Sequence, residues 1–444
     1  MSILKHRILG SVSSPYVYSY PTTRSYEPLS GFSFAEAQFT RRLNVYIHIP
    51  FCEQLCTFCG YFTVLDRSSS FQERYVDAIV AEIGLHGKLL GESIIASVNF
   101  GGGTPSLLTG EQLGRIMRAL IVANPRLPET AHEISIEATP ESVEEEKFSA
   151  FHRSGINRVS IGVQSFNLNE IRKAGRHNSA RNSTGAVKML HEIGISNVCV
   201  DLMYGIEDQT FQSWKNSVQM TLALRPETVE LYGTVSIPGT SFANRAASLM
   251  DDEAKLSCYA YASSAFRAAG YRQEAHLRFT LLSESGYQQQ ANIFRGESLL
   301  GIGVAARTYA TNVLCRNITG SDRTQVIEEY LRSISSGVIP VRDGIFLSEE
   351  EAMRQFVIYR LERLSLAEFS RQFGVSFGEE FSEHLGALID LGLAEHDAIT
   401  FSLTPKGLAI RDTIARAFFS DSVRIREEGY YATAIPVVLH KALR

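Results

Sequence analysis

Short apolar runs punctuate the first half of the chain, and after each one the apolar positions fall into the three-to-four-residue period of an amphipathic helix. The runs occupy residues 45–49, 97–100, 134–137, 158–162, 198–202 and 229–232. They have the length of strands and are rich in Val and Ile, so the pattern predicts six βα units. Two helix starts are marked independently. Thr109 with Gln112 forms a capping-box pair, and Thr139 before Pro140 sets a capping hydroxyl ahead of a proline at the first helical position. Parallel strands joined by right-handed helical crossovers curl into a barrel, here about three-quarters of the full eight-unit ring. The expected fold class is α/β, a partial (β/α)6 TIM-type barrel whose gap admits a large substrate.

The C-terminal part has another rhythm. From Ser348, with Glu351 as its capping-box partner, the pattern predicts a helix to about Leu364, two further helices, and a hairpin in AEHDAITFSLTPKG at 394–407. Glu379, Glu380, Glu383, Asp390, Glu395 and Asp397 occur with no Lys or Arg between Arg371 and Lys406. Such a face repels phosphate, so a lid over the barrel mouth is expected rather than a nucleic-acid reader. The first forty residues, with Tyr16, Tyr18, Tyr20 and Tyr26 among prolines, suggest an arm across the site, a disordered tail being the alternative. The expected divisions are an arm at 1–40, the barrel at 41–312, the C-terminal domain at 313–420 and a tail at 421–444.

Composition narrows the class. With 444 residues and 44% hydrophobic content the chain can bury a large core in more than one domain. The net charge is −5 and there is no basic run, which argues against a nucleic-acid partner. No stretch approaches the roughly 20 apolar residues that span a bilayer. The N-terminus lacks an apolar targeting core, so a cytoplasmic protein is expected.

Three cysteines, Cys52, Cys56 and Cys59, stand within the run YIHIPFCEQLCTFCGYF. An iron-sulfur cube normally takes four thiolates, so a tight triplet can hold three iron corners and leave one open for chemistry. Structural zinc would want a fourth ligand, and no second cysteine pair or nearby HxxxH supplies it. Three sulfurs so close together cannot pair off as disulfides. Cys199, Cys258 and Cys315 sit in apolar or mixed contexts and read as small buried hydrophobes.

Together with FGGGTPS at 100–106 and SIGVQSF at 160–166, the triplet resembles the radical S-adenosylmethionine (SAM) superfamily. More narrowly the chain is similar to the branch of oxygen-independent coproporphyrinogen III oxidase, which also holds haem chaperones and enzymes of C1 transfer and cyclopropanation. The resemblance implies a 4Fe-4S cluster on Cys52, Cys56 and Cys59, one SAM and a second beside it. It implies a SAM bed of Tyr46, Phe58, Gly60, Gly102, Gly103 and Thr104, with Glu137 and Arg176 gripping the amino acid part. Gln164 and Asp201 suit the ribose hydroxyls. The segment Leu299–Ala306 either passes its backbone against the adenine or is a packed turn, and His48 either acts directly or is a core histidine. By the same resemblance Tyr46 belongs with the catalytic cysteines, the C-terminal domain is winged-helix-like, and reductive SAM cleavage yields a 5'-deoxyadenosyl radical. A flavodoxin- or ferredoxin-type donor, a small-molecule substrate and a monomer are expected.

Two departures separate the branches. Coproporphyrinogen oxidases carry a fourth cysteine where Tyr61 stands, and a glutamine where the LLGIG alignment places Phe294. The expected reaction is therefore methyl or methylene transfer to an unsaturated small molecule. Porphyrinogen decarboxylation, haem degradation and a haem chaperone are the alternatives.

Overall fold

All six expected strands form, and most outgrow their apolar kernels. They are β1 (Arg42–Ile49), β2 (Ile94–Gly102), β3 (Glu133–Ala138), β4 (Arg158–Gln164), β5 (Asn197–Tyr204) and β6 (Thr228–Gly233). The computed structural model describes residues 4–5, 8, 16–65, 68–235, 240–242 and 250–430. β1 to β6 lie side by side in sequence order, every neighbouring pair parallel. Helices α1 (Ser69–Leu85), α2 (Gly110–Ala123), α3 (Glu145–Arg153), α4 (Ala180–Ile193), α5 (Phe211–Leu224) and α6 (Asp252–Ala268) follow the strands in turn. Their apolar stripes close one core with the sheet, in which Phe148, Phe151, Trp214 and Phe266 are wholly buried. The Thr109–Gln112 capping box is present, and Thr139 caps a single 3-10 turn, Pro140–Ser142.

The sheet continues on both sides. β7 (Arg278–Thr280) pairs antiparallel with β6, while β8 (Ser298–Ile302) adds a seventh parallel strand beside β1. β9 (Arg307–Tyr309), β10 (Val313–Asn317) and β11 (Val341–Phe346) extend it antiparallel, to thirteen strands with the two-residue edges. The order has two free ends, so the barrel stays open.

Leu299–Ala306 is strand β8 and the buried turn after it. One expectation is corrected here. The C-terminal domain does not begin at 313, because β10 and β11 pair within the barrel's sheet and α7 (Arg323–Ser335) packs on α1. Glu82 of α1 fastens this extension, accepting from Gly303 N at 2.8 Å, Asn317 Nδ2 at 2.9 Å and the Tyr330 hydroxyl at 2.6 Å. Burial pushes its carboxyl up to about 7.

The second module starts with α8 (Glu349–Tyr359) and has its own small sheet, in which β14 (Thr400–Leu403) lies between β12 (Arg363–Ser365) and β13 (Ala394–His396). α8 ends before the expected Leu364, which enters β12. Ser348 caps it as expected, but the Glu351 carboxylate turns away to receive the hydroxyls of Tyr20, Ser420 and Ser422. Leu4, Ile8, Val17 and Tyr20 of the N-terminal segment are buried in this module's core. Arg411, 1% exposed, donates to Val17 O at 3.3 Å. The arm is thus built into the module, which removes the disordered-tail alternative for residues 16–26. Residues 421–430 are helical, and 431–444 lie outside the described residues. Among the described residues no helix is long and apolar enough to cross a membrane.

Candidate active site

β1 runs straight into the cysteine loop. Phe51 bridges to Val64, Cys52 N–H donates to Val64 O at 2.9 Å and Val64 N–H to Pro50 O at 2.8 Å, so the loop leaves and returns at one point. Thr57 pins its far side, donating from its N–H to Ala174 O at 3.1 Å and from its hydroxyl to Lys173 O at 3.0 Å. Cys52, Cys56 and Cys59 are half-buried and open onto one cavity of about 1190 Å³. The thiols do not converge on a point where a single metal ion would sit. A four-iron cube, each corner taking one thiolate, needs them spread. Burial pushes the Cys59 thiol up to about 11, so ligation must displace its proton. Cys199, Cys258 and Cys315 are buried and none lines the cavity.

The glycine row is set by crowding. A Cβ on Gly101 would lie 2.7 Å from Glu137 Oε1, one on Gly102 2.5 Å from the His48 ring, and one on Gly103 2.6 Å from Phe51 O. Gly102 also has φ of +118°, which side chains rarely adopt. Bare backbone lets β2 press against the root of the cysteine loop, where Gly103 N–H reaches Ile49 O at 2.8 Å and Thr104 N–H reaches Phe51 O at 2.7 Å. The Thr104 hydroxyl approaches Cys52 Sγ at 3.5 Å.

Glu137, at the end of β3, is exposed to the cavity and accepts from Gly102 N–H at 3.3 Å; desolvation by the surrounding protein pushes its carboxyl up to about 7 even though its surface is open. Arg176 donates to Gly162 O at 2.6 Å, while its Nε is buried without a partner. Gln164 ends β4 with φ of +67°, an unusual backbone for a residue with a side chain, and its Oε1 is likewise buried and unpartnered. Asp201 on β5 accepts from Ser160 at 3.0 Å, and burial with Glu230 close by raises it to about 8. Orphaned donor and acceptor atoms on one wall are what a zwitterion with ribose hydroxyls would satisfy. Phe58, Gly60, Gly102, Gly103 and Thr104 line the same cavity.

Like His48 and Leu299–Ala306, Tyr46 stands back from it. Its ring packs behind Gly101 and its hydroxyl meets His48 Nδ1 at 3.2 Å. Burial lowers His48 to about 4, so the ring is neutral; Nε2 donates to Phe62 O at 2.9 Å and Nδ1 accepts from Tyr46. The ring supports the loop from behind, which is the core-histidine alternative.

The opposite wall holds Tyr16, Tyr18 and Tyr26 of the expected arm, together with residues that sequence reasoning missed, Tyr232 from β6 and Arg307, Arg316, Arg323 and Arg342 around the sheet extension. It also missed Glu141, whose Oε1 is buried and unpartnered. No motif marks these residues, because the topology alone gathers them. Among the described residues none of 347–420 lines the cavity. The module holds the arm, and the arm makes the wall.

Residues 46–221, which carry the thiols and the gripping side chains, match the model of the radical SAM superfamily, and 347–410 match the HemN C-terminal domain. The chain thus carries a radical SAM domain followed by a HemN C-terminal domain. It is 28% identical over 430 residues to the oxygen-independent coproporphyrinogen III oxidase of Escherichia coli, covering 91% of this chain and 92% of that one. It is 26% identical over 392 residues to the heme chaperone HemW of Lactococcus lactis, covering 86% and 98%. The solved structure of the E. coli coproporphyrinogen III oxidase HemN superposes with a TM-score of 0.77 over 91% of this chain and 96% of that chain. The radical SAM domain brings a 4Fe-4S cluster and SAM as cofactors. The full-length relatives lend no support to the expected methyl or methylene transfer.

Proposed function

We propose that the chain is a radical SAM oxidoreductase that removes carbon dioxide from propionate side chains of a porphyrinogen-type tetrapyrrole. The observation that carries this is the cavity. At about 1190 Å³ it joins the three thiols to a far wall of tyrosines and arginines, giving room for a macrocycle and positive charge for its carboxylates. The full-length likeness to coproporphyrinogen oxidase supports it.

In this reading Cys52, Cys56 and Cys59 hold three irons and leave the fourth open to SAM. Glu137 takes the ammonium group of SAM and Arg176 its carboxylate. Gln164 and Asp201 face the ribose, and Asp201, still protonated at neutral pH, can donate as well as accept. Phe58, Gly60, Gly102, Gly103 and Thr104 complete the bed. Bound together, cluster and SAM supply an organic radical able to take hydrogen from an unactivated carbon. A propionate that loses a hydrogen atom, carbon dioxide and one further electron to an acceptor becomes a vinyl group. Tyr16 and Tyr18 cover the macrocycle and keep water out.

The test is anaerobic turnover of the reconstituted protein with SAM, a reductant and coproporphyrinogen III. Vinyl products with 5'-deoxyadenosine and no S-adenosylhomocysteine are expected. S-adenosylhomocysteine would restore C1 transfer. Tyr61, which lines the cavity where the oxidases carry a cysteine, favours the second reading, a haem chaperone. Haem binding without either product would establish that.

A further inference from the structure

Arg307 opens β9 and lines the active-site cavity. Its guanidinium donates to the Tyr309 hydroxyl, and Tyr26, Tyr61, Tyr46 and His48 also feel its charge. Burial holds the phenol of Tyr26 above its usual range, so it is neutral and provides no counter-charge. Of the other arginines on this wall, Arg316 is gripped by Asp343 at 3.0 and 2.6 Å, Arg342 reaches the same carboxylate at 4.0 Å, and Arg323 is spent on the carbonyl and hydroxyl of Thr63 at 2.6 and 2.9 Å. Arg307 has no carboxylate partner among the described residues.

A second observation points to the same spot. The hydroxyl oxygen of Tyr26, in the arm, is buried and has no hydrogen-bond partner, and Tyr309 and Arg307 dominate its electrostatic surroundings. A half-buried guanidinium without a counter-ion is costly, and so is an orphaned buried hydroxyl. One ligand relieves both. A carboxylate presents two coplanar oxygens to the guanidinium fork and can still accept from the phenol.

We propose that Arg307 and Tyr26 form a carboxylate subsite of the cavity, which orients the ligand above the cysteine loop. Half of it comes from the sheet extension and half from the arm, so it is complete only when the arm is docked. The proposal rests on the porphyrinogen reading only for the identity of the ligand. Two molecules carry such a group, the propionate-bearing substrate and a second SAM.

The test uses reconstituted full-length protein under anaerobic conditions and two measurements that need no turnover. One compares binding of coproporphyrin III with that of its tetramethyl ester by fluorescence quenching; the other counts bound radiolabelled SAM by equilibrium dialysis. Arg307→Gln should weaken the tetra-acid about ten- to hundredfold and leave the ester unchanged. Tyr26→Phe should weaken it about three- to tenfold, and Arg307→Lys should recover only part, since an ammonium lacks the planar fork. The melting temperature of Arg307→Gln should hold or rise, whereas a structural guanidinium would lower it. Loss of one SAM equivalent with porphyrin affinity unchanged would keep the subsite and assign its carboxylate to SAM. Tetra-acid and SAM both binding Arg307→Gln within about threefold of wild type would overturn the subsite and leave the porphyrinogen reading standing. A wild type that ignores the tetra-acid while Arg307→Gln loses SAM would overturn that reading and keep the subsite.

Discussion

Raising the pH through 8 should loosen the seam between barrel and C-terminal module, because one imidazole spans it. His276, just before β7, places Nδ1 3.0 Å from Glu362 Oε1 and Nε2 3.2 Å from Asp412 Oδ2. With a carboxylate at each ring nitrogen, only the doubly protonated ring can donate to both. Arg411 pairs with the other Asp412 oxygen at 3.1 Å, and the Tyr259 hydroxyl donates to His276 O at 2.6 Å. Burial opposes charge at both His276 and Asp412, but their pairing overrides it, raising His276 to about 8 and lowering Asp412 to about 2. For the imidazole, a rise of ~1.5 units corresponds to ~2 kcal/mol. Because the folded value lies above the unfolded one, this stability is whole below pH 6.5 and is lost as the pH rises through about 8. The depressed Asp412 value describes the same contact from its other side and is not added. The assay is anaerobic urea unfolding followed by far-UV circular dichroism and by Trp214, the single tryptophan, which is fully buried. The stability difference between wild type and His276→Asn should shrink by about 2 kcal/mol between about pH 6 and pH 9. Glu82, Glu137 and Asp201 titrate in both proteins and cancel. A difference that does not change with pH over that range would refute the reasoning.

Cys52→Ala, Cys56→Ala and Cys59→Ala should each abolish the visible absorbance of the reconstituted cluster, while substitution of Cys199, Cys258 or Cys315 should leave it, as iron content and spectra will show. Glu137→Gln and Arg176→Met should load the cluster normally yet bind SAM about ten- to hundredfold more weakly, measured by dialysis. Gly102→Ala drives a methyl group into the His48 ring at a positive φ, so it should lower stability by about 1–3 kcal/mol in the same urea assay.

The strands were legible because each buries Val and Ile on a parallel sheet, and the cysteine triplet because its spacing is chemical rather than structural. β8 was not, since Ser298–Ile302 is too short an apolar run to tell from a buried turn before its parallel neighbour β1 is known. Nor could spacing show Gln164 at positive φ, a property of the backbone with no residue signature. Glu351 looked like a capping partner and instead serves Tyr20, more than three hundred positions away. Arg307 and Tyr26 are hundreds of residues apart, and a surface charge in a sequence looks no different from one folded into a cavity. The domain boundary at 313 failed because antiparallel extension of a sheet leaves no mark at its first strand.

The two ends of the chain meet late. Val17 N–H waits for Asp412, and Thr22 for Glu427, before the segment carrying Tyr16 and Tyr18 is held in place. Synthesis runs from the N-terminus, so the barrel and its cysteine loop are complete while the partners that clamp the arm are still being made. Contacts of such separation are also the slowest to close. Until those partners are made, the thiols of the nascent protein face a wall that still lacks Tyr16 and Tyr18.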